Sequence, residues 1–386
     1  MRDSTCLETL RREHLLRYPH TLSSAPGRTV QLEDGREVLL FCSNSYLSLN
    51  RHPKVVAAAS ATLEHYGCGS AGSRLVSGTT VEHQALEREI AQFKGSEAAL
   101  LCGSGFMANL AVLSALTGPE EVIFSDDLNH ASIIDGCRLS KAQIVVYRHC
   151  DLDDLRDKMQ RLGSRRALIV TDAVFSMDGD LAPLPELAQL SRDYRCPLVV
   201  DDAHATGVLG PNGRGSLEHF HLSHSEVAVV MATLSKAIPA QGGALCLSGE
   251  LRELLANTAR PYIFSTSLPP ELAAAARAAV ALLEEDPSCV SRLRDNCRIF
   301  REYLSEQGLD CPGITPIVPI VVGSEERAAQ LANQLLDEHI LVSAIRYPAV
   351  ARGKARLRFT VNAAHTPADL EQAALSLARA LRRLPL

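Results

Sequence analysis

PLVVDDAHATG, residues 197–207, passes from an uninterrupted apolar run straight into two adjacent carboxylates. A strand that is apolar at every position, without polar alternation, is buried on both faces. That texture belongs to a mostly parallel sheet covered by helices. The runs AALLC (98–102), EVIFS (121–125), QIVVY (143–147), ALIVT (167–171) and VAVVMAT (227–233) share it, bounded by polar or glycine signals. Helical segments separate most of them. GALCLS (243–248) follows VAVVMAT closely enough to be a neighbouring strand, with the antiparallel sense open to it. The expected fold is α/β: a mostly parallel seven-stranded sheet with helices on both faces.

Outward from the sheet both chain ends change character. Residues 1–17 read as a polar helix lying on another surface, and TVQLEDGREVLLF, around Asp34-Gly35, reads as a hairpin. Thr79 followed by Glu82 predicts a capping box opening the helix HQALEREIAQF. Beyond residue 249 come the long helices ELAAAARAAVALLEE and SRLRDNCRIFREYLSEQ, then strands at TPIVPIVV, ILVSAI and ARLRFTV and a helix from Pro367. The expected organisation is an N-terminal arm that joins a small domain (1–50), a large α/β domain (51–285) and a small α+β domain (286–386).

At 386 residues the chain suits one large domain and a smaller one. Apolar residues make up 46% and charged residues 22%, the balance of a soluble globular protein. A net charge of −6 favours neither nucleic acid nor an anionic membrane. No window approaches the ~18 apolar residues of a membrane span, and the charged N-terminus has no apolar core of a secretory signal. Eleven cysteines without a CxxC pair point to reduced thiols in a cytoplasmic protein.

Three constellations carry chemistry. In LLCGSGFMANL (100–110) a strand runs into Gly103-Ser104-Gly105 and then a helix, so free amides and the helix dipole favour a phosphate. Gly103-x-Gly105-x-x-Ala108, with Asp126 about 20 residues on, also fits a dinucleotide fingerprint. A carboxylate at the end of the strand PLVVD needs a cation, and a pyridinium N–H is one; an isolated Asp201-Asp202 pair also reads as a cap or salt bridge. In VVMATLSKAIPAQGG (229–243) a buried strand delivers Thr233 and Lys236 ahead of Gly242-Gly243. An amine at such a position, in a segment with no other charge, serves as a nucleophile toward an aldehyde. No dehydrogenase fingerprint accounts for Asp201 and Lys236 together, whereas pyridoxal phosphate, held as a Schiff base, accounts for both; a nicotinamide oxidoreductase is the alternative, which an absorbance scan separates.

Smaller features agree. His130 could cover the face of a flat ring, and Ser176 in TDAVFSMDGD could donate to a phenolic oxygen. Arg356 and Arg358 share one strand face, either as a carboxylate clamp or as a solvated surface. His219, His221 and His224 lack a metal-ligand frame and read as a surface loop, so no metal is expected.

With these residues assembled, the chain resembles the α-oxoamine synthases, a branch of the fold-type-I pyridoxal-phosphate enzymes, from about residue 28 to 380. The resemblance is carried by GSRLVSG (72–78), VEHQALE (81–87), VFSMDGD (174–180), DDAHATGVLG (201–210), GRGS (213–216), FSTSLPP (264–270) and ARLRFTVNAAHT (355–366). It implies decarboxylative condensation of an amino acid with an acyl-CoA or acyl-carrier-protein thioester. It further implies that Lys236 links the cofactor, Asp201 pairs with the pyridine nitrogen and His130 stacks on the ring. Ser176 and His204 match residues on the phenolic oxygen, Gly105, Phe106 and Thr233 phosphate donors, and Arg358 the carboxylate clamp. Thr266 matches a hydroxyl that reaches the phosphate from a partner subunit, which implies a homodimer with shared sites. Asn44 matches a substrate-side asparagine, and GSRLVSG, with Ser73, the acyl-thioester side. The pattern leans to the branch that joins L-alanine to a pimeloyl thioester in biotin synthesis, the alternative being glycine and acetyl-CoA. Ser45 and Ser48 depart from the usual Asp and Gly of their loop, and Ile238-Pro239-Ala240 stands where an aromatic-Gly pair is common.

Overall fold

The computed structural model describes residues 4–161, 163 and 165–384, and the chain divides into two compact units. One comprises Met1–Ser48, Ser176–Asp180 and Ser291–Leu386, the other Leu49–Phe175 and Leu181–Val290. In the first unit, Asp34-Gly35 turns the chain between β1 (Thr29–Gln31) and its antiparallel partner β2 (Glu37–Leu40), as the hairpin pattern predicts. The N-terminal helix is shorter than its polar pattern, ending at Arg12; residues 1–3 of that reading lie outside the described residues. The arm beyond it is fastened within its own unit, Arg17 donating to Tyr347 O at 2.7 Å and Arg352 pairing with Glu13 at 2.8 Å.

The second unit holds β3 (Ala98–Cys102), β4 (Val122–Asp126), β5 (Gln143–Tyr147), β6 (Ala167–Asp172), β7 (Leu198–Asp201), β8 (Val229–Ser235) and β9 (Pro239–Leu247). They form one sheet in the order β3-β9-β8-β7-β6-β4-β5. Pairings from β5 through β8 are parallel, and β9 runs antiparallel to both β8 and β3. Helices cover both faces, and β4, β6 and β7 are buried at every position. QIVVY differs. As β5 it is the sheet edge, with Ile144 37% and Val146 47% exposed. An apolar β-branched run reports strand propensity as well as burial, and at the margin only the first applies. The helix after β-less residues 67–80 also begins one position later than the Thr79/Glu82 pattern predicts. Thr80 caps Val81–Lys94, and His83 reaches back where a glutamate was expected, its Nδ1 accepting from Thr80 N at 3.1 Å. Thr79 Oγ1 instead donates to Arg74 O.

The rest of the first unit is α+β. β10 (Ile317–Gly323), β11 (Ile340–Leu341), β12 (Ser343–Ile345) and β13 (Ala355–Thr360) form two small sheets, β1-β2-β11 and β10-β13-β12. Phe41, Phe300 and Phe359 meet with ring centroids 5.5–5.7 Å apart in its core. The helix Pro367–Arg383 opens with a capping box, Thr366 with Asp369.

Lys94 and Asp202 form an enclosed ion pair in the second unit. Lys94 Nζ lies 2.6 Å from Asp202 Oδ2, both side chains at most 1% exposed. Lys94 also donates to Thr206 Oγ1 at 3.0 Å and to Arg214 O, and Asp202 accepts from Thr206 Oγ1 and the Ser216 amide. Gly215 has φ +101, and a Cβ there would stand 1.9 Å from Asp202 Oδ2. Removing one member leaves the other charged and unpaired in the interior. Lys94→Met should therefore lower stability by about 3–5 kcal/mol, measured as the shift of the urea unfolding midpoint, with Lys94→Met/Asp202→Leu recovering part of the loss. A single variant within about 1 kcal/mol of the parent would show the pair to be energetically idle.

Candidate active site

Parallel strands present their loops at one edge of the sheet, and there β6 ends in Asp172, β7 in Asp201, and β8 leads through Ser235 to Lys236. Asp172 and Asp201 are register partners across β6 and β7, and each is 3% exposed. Asp201 Oδ1 accepts the Ala203 amide at 2.9 Å and Oδ2 the Asn109 side chain at 2.7 Å. Burial pushes the Asp201 carboxyl above its usual range, while Lys236, Asn109, the Ala203 amide and His130 draw it back. Asp172 is driven well above its usual range by burial and by the neighbouring Asp201, with the His130 amide and Lys236 opposing. The adjacent Asp202 is committed to Lys94.

Lys236 Nζ stands 2.7 Å from His204 Nε2. A hydrogen bond between two nitrogens needs a lone pair on one, so the amine and the imidazole cannot both be fully protonated there. His130 caps the helix Ala131–Ser140, its backbone amide donating to Asp172 Oδ2 at 2.7 Å. Loss of hydration holds its imidazole below the ordinary value, with Lys236 reinforcing and Asp201 opposing. The Phe106 ring meets it edge-on at 6.3 Å.

The strand β3 runs through Gly103-Ser104 into a helix, as the glycine pattern predicts. Ser104 caps the helix Gly105–Leu116, its Oγ taking the Met107 amide at 3.1 Å and its carbonyl the Ala108 amide at 3.0 Å. Among the described residues this leaves the Gly105 and Phe106 amides for an anion. A Cβ on Gly243 would come within 2.8 Å of Gly105 Cα and Ser104 O, so only glycine lets β9 lie against this turn. Thr233 Oγ1 flanks Gly105 from β8. Ser73 and Thr266 form an antiparallel bridge, with Thr266 exposed, beside the buried Arg74–Glu87 pair at 2.9 Å.

The first unit assembles its own cluster. Arg358 is 5% exposed; its Nε donates to Ser176 O at 2.6 Å and its other nitrogens to Asn44 Oδ1 and Thr360 Oγ1. Arg356, equally buried, pairs with Asp178. Neither arginine belongs to a solvated face. Ser48, where the related loop has glycine, adopts φ 53, a left-handed conformation that costs a residue with a side chain.

Asp126 does not serve as a ribose-binding acid. It is buried and already accepts from the His149 ring and from the Leu128 and Cys150 amides, each at 2.9 Å. His224 hydrogen-bonds with Lys94 O at 3.2 Å. Asn109, Ser132 and Asp172 escaped the sequence reading. Asn109 alone had a signal, as the one amide in the apolar helix GFMANLAVLSAL.

Residues 36–377 match the aminotransferase class I and II family. An 8-amino-7-oxononanoate synthase of Geobacter sulfurreducens is 49% identical, over 97% of this chain and 96% of its own. A Desulfovibrio desulfuricans protein that carries the same name provisionally is 54% identical over 97% of both chains. Among solved structures, a serine palmitoyltransferase of S. paucimobilis with a bound PLP–myriocin aldimine has TM-score 0.93 and 31% identity, over 98% of this chain and 96% of that one. Agreement in sequence over nearly the whole length, and in fold with a structure that carries the cofactor, goes beyond a shared sheet: the chain belongs to the aminotransferase class I and II family and is a pyridoxal-phosphate-dependent enzyme.

Proposed function

We propose that this chain is an 8-amino-7-oxononanoate synthase, condensing L-alanine with a pimeloyl thioester, on CoA or a carrier protein, with loss of CO₂ and of the thiol. The observation that carries the chemistry is the linked set Lys236–His204 and Asp201–Asn109 at the carboxyl edge of one sheet; the names of the relatives carry the substrates. The residues fit the cofactor. Each oxygen of Asp201 accepts a single hydrogen bond and keeps acceptor capacity for a ring N–H. The amides of Gly105 and Phe106 and the Thr233 hydroxyl suit its phosphate. Ser176 and His204 are assigned to its phenolic oxygen.

Pyridoxal phosphate would supply an aldehyde that condenses with amines and a ring that withdraws electrons from the substrate Cα. The work of the chain is then positional and acid–base. Asp201 holds a proton on the ring nitrogen, because a buried carboxylate is stabilised by a facing cation. Lys236, which would hold the cofactor, would as a free amine be the base that removes the Cα proton, and His204 would take or return a proton at Nζ. His130 covers one ring face. Arg358, held by Ser176, Asn44 and Thr360, is assigned to the substrate carboxylate through the Nη2 hydrogen those partners leave over. Ser73 and its loop are assigned to the acyl-thioester side. Thr266 is exposed, with Phe264 69% and Val76 83% exposed nearby in sequence to it and to its bridge partner Ser73. This supports a homodimer in which Thr266 reaches the partner's phosphate. A cytoplasmic location fits this chemistry, and among the described residues no helix is long and apolar enough to cross a membrane.

Three outcomes test this reading. Lys236→Ala should abolish turnover and remove the borohydride-reducible cofactor; a variant that still acquires the label would sink the assignment. Asp201→Asn should bind cofactor yet lose at least ~10²-fold in kcat, as for one preorganised electrostatic group, whereas activity within a few-fold would remove Asp201 from its role. With a matrix of amino acids and thioesters, kcat/KM should favour L-alanine with pimeloyl-CoA. One methyl group discriminates by only ~1–3 kcal/mol, so glycine should react slowly. If glycine with acetyl-CoA is the best pair, the chain is instead a glycine C-acetyltransferase.

A further inference from the structure

Asn109 is the fifth residue of the Gly105–Leu116 helix, 1% exposed. Its Nδ2 carries two hydrogens, and both are directed: one to Asp201 Oδ2 at 2.7 Å, the other to Ser132 Oγ at 2.8 Å. Its Oδ1 is buried without a partner among the described residues. Turning the amide over would set that oxygen against a carboxylate, so the charge on Asp201 fixes its orientation. Ser132 Oγ, having accepted from Asn109, has its own hydrogen to give, and His130 Nδ1 lies 2.7 Å away. The Ser132 amide also points at Nδ1, at 3.2 Å. With two donors converging on it, Nδ1 must present its lone pair, and the ring proton must sit on Nε2.

We propose that Asn109 and Ser132 are positioning residues that couple the carboxylate of Asp201 to the Nε2–H tautomer of His130. The chain of hydrogen bonds runs in one direction, from amide to hydroxyl to imidazole. It does not conduct protons, since an amide nitrogen does not give one up. What it transmits is orientation: if Asp201 is neutralised, the reason for the amide's orientation goes, Ser132 can donate to Asn109 instead, and Nδ1 loses its stronger donor. The acid assigned to the ring nitrogen and the imidazole assigned to the ring face are thereby set together. The role in catalysis rests on the cofactor reading above; the hydrogen-bond chain does not.

Histidine labelled with ¹⁵N in the ring reports the tautomer directly, and His130→Gln assigns the resonance. In the parent chain, with and without cofactor, His130 should show the neutral Nε2–H pattern with Nδ1 as a hydrogen-bonded acceptor. Ser132→Ala and Asn109→Ala should each move the Nδ1 resonance, and Ser132→Thr, which keeps the hydroxyl, should restore it. In the holoenzyme each alanine variant should lower kcat on the order of tenfold to a hundredfold, the worth of one hydrogen bond to a charged group, with KM for the amino acid changing far less. The double variant should be no worse than the poorer single one, because both residues act along one chain. An Nδ1 resonance unmoved by both alanine variants, or fully additive losses in kcat, would overturn the proposal. The ring measurement on cofactor-free protein keeps it separate from any failure of the Lys236 assignment.

Discussion

A carboxylate deprived of water is destabilised by several kcal/mol unless donors or a cation face it, and the edge of the large sheet is organised around that constraint at Asp201. The same parallel arrangement that buries β7 brings Asp172 alongside, and burial together with the neighbouring acid raises the Asp172 carboxyl well above its usual range. The Ala203 amide and the Asn109 side chain meet part of the demand. The remainder is the capacity that a ring N–H would take.

Adjacent residues in an extended chain point to opposite sides, and this gives the two aspartates separate lives. Asp201 faces the helix that begins at Gly105, whereas Asp202 is committed to Lys94, Thr206 and the Ser216 amide. Asp202 secures the loop that follows it, and Asp201 is left for the role proposed for it at the ring nitrogen.

Much of this was legible in the sequence, and the reasons differ by element. Apolar runs locate the inner strands because burial on both faces leaves no room for alternation, and Asp201 and Lys236 stand out as charges at the ends of such runs. The edge position of QIVVY is invisible for the same reason, since its composition is that of a buried strand. Thr80 caps where Thr79 was expected because an imidazole can reach back as a carboxylate does, a substitution the usual pattern omits. Arg356 and Arg358 could not be told from a solvated face until Ser176 and Asp178, distant in sequence, were seen in the same unit. Asn109 and Lys94 act through partners 23 to 120 residues away, which no local pattern encodes.

The enclosed Lys94–Asp202 pair also bears on how such a chain can change over generations. Position 215 has no space for a side chain while the Asp202 carboxylate stands where it does. A lineage leaving Gly215 would first have to relinquish Asp202, stranding a buried ammonium, or Lys94, stranding a buried carboxylate. Each single step is destabilising, so exchange at the three positions is coupled through the buried pair. This corner of the molecule is therefore frozen by the order in which mutations arrive, even though none of the three residues is proposed to touch a substrate.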